Sequence, residues 1–147
     1  MRAVVQRVKQ AKVEVEGRVV GQIGAGLLVL VGVAKSDTRG DADYMADKLT
    51  GLRIFPDEAG KMNRDIVEAG GGLLVVSQFT IYADVRKGRR PGFDRAADPQ
   101  LARLLYDYLV QALRQRGIPV ETGTFQALMA VHLVNDGPVT IIVDSEK

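Results

Sequence analysis

Hydrophobic and polar positions alternate with period two over the opening of the chain, and a helical rhythm replaces that alternation twice further on. Residues 2–8 (Arg-Ala-Val-Val-Gln-Arg-Val) have strand character, and Val13-Glu14-Val15-Glu16 alternates strictly, the pattern of a half-buried strand. Gly17-Arg18 supplies a hairpin turn into Val19-Val20-Gly21-Gln22-Ile23. Gly24-Ala25-Gly26 then breaks the chain. Leu27 to Val33 is apolar almost throughout, which predicts a strand buried on both faces. Asp41 suits a helix N-cap, and Met45, Leu49 and Leu52 follow at the i, i+4, i+7 spacing of one helical face. Residues 56–72 hold Pro56, Gly60, Gly70, Gly71 and Gly72, and this density of breakers predicts a loop or short hairpin. Strand character returns over Leu73 to Gln78.

The longest helix is marked at both ends. Asp98 is its cap, Pro99 suits its first position, and Gly117 stops it. Between them Leu101, Leu104, Leu105, Tyr108, Leu109, Ala112 and Leu113 form an apolar stripe. Two late strands follow, Leu128 to Val134 and Val139 to Val143, separated by Asn135-Asp136-Gly137-Pro138, a tight turn by composition. Strands before, between and after two main helices predict a mixed α/β fold. Hairpin-length early connections make much of the sheet antiparallel. There is no internal repeat, low-complexity segment or linker, so residues 1–147 are expected to form one domain.

Composition narrows the chemistry. Apolar residues make up 46% and charged residues 26% of the chain, which excludes a disordered polymer. There is no cysteine, hence no disulfide or thiolate chemistry, in keeping with a cytoplasmic location. Neither a signal-peptide core nor a run of about 18 apolar residues is present, so no membrane association is expected. The net charge is +2, too small by itself to indicate a nucleic-acid partner. Its distribution is uneven: Arg86, Lys87, Arg89, Arg90 and Arg95 lie against Asp84 and Asp94. That stretch reads either as a solvated charge run or as a contact for RNA phosphates.

Two short segments stand out as candidate chemistry. Ser77-Gln78-Phe79-Thr80-Ile81-Tyr82 ends one apolar run, and Asn135-Asp136-Gly137-Pro138-Val139-Thr140 ends another. Neither contains a thiol, a metal ligand set or a strong base, so any catalysis must lean on backbone groups, hydroxyls and the substrate itself. Free N–H donors are expected at a strand end, where they can hold an ester carbonyl. Thr80 is a potential nucleophile, but a hydroxyl needs a base and none is near in sequence. Gly137-Pro138 reads as an ordinary trans turn on general grounds, and Arg7 as a strand arginine facing solvent. His132 is the only histidine and lies in an apolar strand, where a structural role is the simpler reading. One histidine without cysteine excludes a usual zinc site, and no metal or other cofactor is expected. Gly24-Ala25-Gly26 lacks the remaining glycine of a dinucleotide fingerprint.

On these two segments, in this order and separation, the chain closely resembles the D-aminoacyl-tRNA deacylases. The resemblance runs from the opening Met1-Arg2-Ala3-Val4-Val5-Gln6-Arg7-Val8 to the final strand. It implies a compact layered β/β/α domain that forms a homodimer. It further implies hydrolysis of D-aminoacyl-tRNA, and of glycyl-tRNA, with L-amino acids rejected. A cis Gly137-Pro138 from one subunit would enter the other subunit's site, held in orientation by Arg7. Backbone N–H groups around Phe79 and Thr80 would hold the carbonyl, Ser77 and Gln78 would shape the pocket, and the ribose 2′-OH would assist. An apolar wall for the terminal adenine is expected among Phe79, Tyr82, Phe93, Phe125 and Met129, with Phe79 and Met129 preferred. Three alternatives stay open at this point: a Thr80-nucleophile esterase, a non-catalytic binder of aminoacyl-tRNA ends, and a relative with the Gly-Pro bond trans that would admit some L-aminoacyl-tRNAs.

Overall fold

The alternation at the start of the chain belongs to one long strand. In the computed structural model, which describes residues 1–146, β1 (Arg2–Val15) runs unbroken through Lys9-Gln10-Ala11-Lys12, where two shorter strands are predicted. The reason lies in its partners. The first half of β1 pairs antiparallel with β3 (Gly26–Gly32), and the second half with β2 (Arg18–Ile23). The opposite edge pairs along its length with β8 (Ala130–Asp144). Between Val8 and Gln10, β1 advances two residues while β8 advances one, from Asn135 to Val134. Lys9 is thus the extra residue of a β-bulge. The bulge reverses the parity of the strand. Ala3 and Val5 face one hydrophobic core, whereas Val8, Ala11 and Val13 all face a second. The hairpin to β2 turns on Glu16 and Gly17, both at positive φ, one residue earlier than the predicted Gly17-Arg18.

The sheet runs β2-β1-β3-β6-β7, with β8 on the free edge of β1. Here β6 is Gly72–Ser77 and β7 is Val120–Thr122. The pairs β3–β6 and β6–β7 are parallel, so the sheet is mixed, antiparallel on one side and parallel on the other. As the unbroken apolar run predicts, β3 is buried on both faces. Leu27, Val29 and Val31 pack into the first core and Leu28 into the second. The helices α1 (Arg39–Gly51) and α3 (Pro99–Arg114) cover the first core. Residues of β2, β8 and the far half of β1 cover the second, which gives the layered β/β/α order. Among the described residues, no helix is long and apolar enough to cross a membrane.

Local details depart from the sequence reading where tertiary contacts decide. The N-cap of α1 is Thr38, and Asp41 sits three residues inside, its carboxylate accepting from the Thr38 N–H at 2.8 Å. Residues 56–72 hold a small hairpin, β4 (Phe55–Pro56) with β5 (Met62–Arg64), and a one-turn helix α2 (Ile66–Ala69) capped by Asp65. Asp98 caps α3 as expected, accepting from Leu101 N–H at 2.9 Å. The buried face of α3 is rotated from the predicted stripe. Leu104 is exposed while Tyr106 and Val110 are buried, because the Tyr106 hydroxyl donates to the Val75 carbonyl at 2.6 Å and so anchors that side of the helix to β6. Burial pushes the Tyr106 hydroxyl up to about 12. The two late strands are one: β8 starts at Ala130, leaving Leu128 exposed, and continues past Pro138.

Candidate active site

The end of β6 builds one half of the site. Gln78 N–H makes a last bond to the Val31 carbonyl at 2.8 Å, after which Phe79–Tyr82 form a 3₁₀ turn. Tyr82 drives this turn inward. Its ring is buried, flanked by the guanidinium groups of Arg2 and Arg95 at 4.8 and 5.3 Å, and packs against the bare backbone of Gly32. Burial, with Asp37 and Asp144 nearby, holds its hydroxyl well above the ordinary tyrosine range. The first N–H groups of a helical turn lack internal partners. Among the described residues, those of Phe79 and Thr80 meet no acceptor. Phe79 itself is exposed.

These residues open into a cleft of about 570 Å³. Ser77, Gln78, Phe79 and Thr80 form one wall. Phe93, Phe125 and Met129 face them, and Ala96, Ala97 and Ala102 line the remainder. Phe79 and Phe93 meet edge to face with centroids 5.1 Å apart. Met129 reaches the cleft over Gly123, where a Cβ would stand 2.6 Å from its sulfur. None of the lining residues has a titratable side chain. The Thr80 hydroxyl accepts from the Gln78 amide at 3.0 Å and has no base beside it. The cleft can therefore offer N–H donors, apolar surface and shape, but no proton acceptor of its own. Tyr82, grouped with the apolar wall on sequence, lies in the small cluster with Ala34 and Ala96 and does not line the cleft.

The second segment forms a separate feature. Opposite Arg7, β8 advances five residues, from Thr140 to Asn135, while β1 advances only from Gln6 to Val8. The intervening residues leave the ladder as a loop. The Asn135 side chain closes its neck, donating to the Val139 carbonyl at 3.2 Å and accepting from Val139 N–H at 2.7 Å. Gly137 and Pro138 are exposed at the tip, and the peptide between them is cis. At Gly137 φ is +145°, and a Cβ would stand 2.7 Å from the Val139 Cγ2, so only glycine fits. Arg7 is largely buried beneath the loop. Its Nε donates to the Asp136 carbonyl at 2.9 Å and a terminal nitrogen donates to the Ile54 carbonyl at 2.6 Å. Arg7, Gly137 and Pro138 thus come together, but away from the cleft of the same chain. Nothing in the sequence pointed to the Ile54 carbonyl or to the alanine wall.

Other candidates fall elsewhere. His132 is exposed, 3.5 Å from a Glu14 carboxylate oxygen that belongs to a surface row with Lys12. Among the described residues, no group of three or more His, Cys, Asp or Glu side chains is arranged to hold a metal ion.

A profile of the family described as D-Tyr-tRNA(Tyr) deacylase matches residues 4–144. The chain belongs to the D-Tyr-tRNA(Tyr) deacylase family. It is 61% identical over 147 residues to the D-aminoacyl-tRNA deacylase of Solibacter usitatus (strain Ellin6076), covering 100% of this chain and 97% of that one. It is 63% identical, with the same coverage, to the D-aminoacyl-tRNA deacylase of Symbiobacterium thermophilum. Among solved structures, a c-Myc DNA Unwinding Element Binding Protein matches this deacylase-family chain with a TM-score of 0.95 at 39% identity over the full length of both. A probable eukaryotic D-amino acid tRNA deacylase shares the fold, with a TM-score of 0.84 at 20% identity over 97% of this chain and 98% of its own.

Proposed function

We propose that the protein hydrolyses the ester between a D-amino acid and the 3′-terminal ribose of tRNA, and that it also acts on glycyl-tRNA. The observation that carries this reading is a cleft with two unpartnered N–H donors and no titratable side chain. The Phe79 and Thr80 N–H groups hold the ester carbonyl oxygen and stabilise the negative charge that develops on it when water adds. The general base missing from the cleft is replaced by the substrate: the ribose 2′-OH positions the water or relays its proton. The carbon–oxygen bond to the ribose then breaks, and the proton passes to the departing ribose oxygen. Ser77 and Gln78 shape the floor, and Phe79 with Met129 provides an apolar surface for the terminal adenine.

Chirality is set by a second copy of the chain. In a homodimer, the exposed tip Gly137-Pro138, carried on Arg7, enters the partner's cleft and crowds one face of the substrate α-carbon. A D-amino acid or glycine presents hydrogen there, whereas an L-amino acid presents its side chain and is excluded. This is proofreading after aminoacylation, by rejection rather than by tighter binding, and its place is the cytoplasm, where charged tRNA is used. Release of D-tyrosine from D-tyrosyl-tRNA by the purified protein tests the reading. Turnover supports it, whereas binding without ester cleavage makes the protein a holder of aminoacyl-tRNA ends.

A further inference from the structure

We propose that the hairpin Asp84–Gly92 is a clamp for the phosphates of the RNA just inside its aminoacylated 3′ end, an inference that rests on the deacylase reading above. The hairpin is closed by a reciprocal pair of backbone bonds, Asp84 N–H to the Gly92 carbonyl at 2.8 Å and Gly92 N–H to the Asp84 carbonyl at 2.9 Å. Every residue from 84 to 92 is exposed, and Gly88 turns the tip at a φ of +72°. Its cations divide into two groups. Arg86 folds back onto Asp84, with hydrogen bonds of 2.7 and 3.0 Å, and stiffens the hairpin at the cost of its own free charge. Among the described residues, no ion pair engages Lys87, Arg89 or Arg90. The hollow beside them, about 690 Å³, is lined by Arg86, Lys87 and Arg90 and by the acids Asp84 and Asp94. Asp84 is already neutralised by Arg86, so the field over the hollow is positive.

Position makes phosphate the fitting occupant. Phe93 follows Gly92 directly and forms part of the catalytic cleft, edge to face with Phe79. Arg90 is three residues from Phe93, which places its backbone within about 10 Å of the cleft wall. With the terminal adenine against Phe79 and Met129, the phosphates on its 5′ side leave the cleft past Phe93 and this segment. Cations at such a place fix register and add affinity without reading sequence.

The test compares two substrates, D-tyrosyl-tRNA and D-tyrosyl-adenosine, the second lacking every backbone phosphate. In a Lys87→Ala/Arg89→Ala/Arg90→Ala variant, the ratio of kcat/KM on the tRNA to that on the nucleoside ester falls at least tenfold. The slope of log kcat/KM against log salt on the tRNA becomes shallower by about 2, because each neutralised single-strand phosphate adds roughly 0.7 to its steepness. An Arg89→Lys/Arg90→Lys variant, which keeps the charges, retains the wild-type slope. An unchanged ratio and slope in the alanine variant would overturn the clamp while leaving the deacylase reading intact. Failure of the wild-type protein to cleave either ester would overturn both.

Discussion

Removing Arg7 is the perturbation that most directly probes how the Gly137-Pro138 tip is held. The side chain is 12% exposed and its charged donors meet two carbonyls, Asp136 at 2.9 Å and Ile54 at 2.6 Å. A hydrogen bond from a charged donor contributes about 1.5–3 kcal/mol. Because the 136–139 loop is partly exposed and water recovers some of the loss, the net cost of losing both bonds is about 2–4 kcal/mol. That cost is shared between the loop, through the Asp136 carbonyl, and the Ile54 carbonyl outside it; alanine is compatible with β1, so the sheet is spared. If the loop must be in place for turnover and its share is about half of that cost, Arg7→Ala lowers kcat/KM on D-tyrosyl-tRNA by roughly 5- to 30-fold, at about 1.4 kcal/mol per decade. The far-ultraviolet circular dichroism stays that of the folded protein. Arg7→Lys keeps the charge but not the fixed fork of donors, and it falls between the two. The assay is initial-rate deacylation at substrate concentrations well below KM. An Arg7→Ala protein within about twofold of wild type would refute the reasoning.

Three further outcomes follow from the geometry. Thr80→Ala changes kcat less than about threefold, because its hydroxyl meets only the Gln78 amide and has no base to activate it; a folded but inactive variant would make Thr80 the nucleophile. Asp37→Ala removes the carboxylate from the buried Met1 ammonium, 2.6 Å away, leaving it the Ser145 hydroxyl at 2.7 Å, and removes the acceptor of the Ala34 N–H at 2.7 Å. Breaking such a buried pair costs about 3–5 kcal/mol, which calorimetry should register as a Tm lower by about 6–20 °C. The third concerns acid. The hydrogen bond from Arg86 holds the Asp84 carboxyl at about 2. At Asp144 burial is outweighed, chiefly by the hydrogen bond from Arg2, so that carboxyl is lowered as well. Folded values below those of the unfolded chain mean that the unfolded state binds more protons on acidification. The stabilisation is therefore complete above about pH 5 and is lost progressively as pH falls towards 2. Urea midpoints at pH 5 and pH 2.5 check this, and equal midpoints would contradict it.

What could be read from the sequence follows physical lines. Elements whose pattern is local were legible: the Asp98-Pro99 start of α3, the doubly buried β3, and the hairpin near residue 17 to within one position. Features set by partners distant in sequence were not. The bulge at Lys9 that joins two expected strands into one depends on the register with β8. The rotation of α3 that exposes Leu104 depends on a hydroxyl bond from Tyr106 to β6. The continuity of β8 through Asn135–Thr140 was hidden because Asn-Asp-Gly-Pro has the composition of a tight turn, and here the turn-like residues form a loop inside a ladder. Within the site, Ser77 to Thr80 drew notice because two hydroxyls and an amide end an apolar run. The alanine side of the cleft carries no such signal, since Ala96, Ala97 and Ala102 matter through the space they leave empty. Arg7 was singled out only through the family resemblance, because its partners are backbone carbonyls 47 and 129 residues away in sequence.

The most direct test of the central claim is deacylation of D-tyrosyl-tRNA, L-tyrosyl-tRNA and glycyl-tRNA at equal concentration by the same enzyme preparation. Chiral rejection at Gly137-Pro138 predicts rapid loss of the D-tyrosyl and glycyl esters with the L-tyrosyl ester spared. Comparable cleavage of the L ester, or cleavage of none, would contradict it.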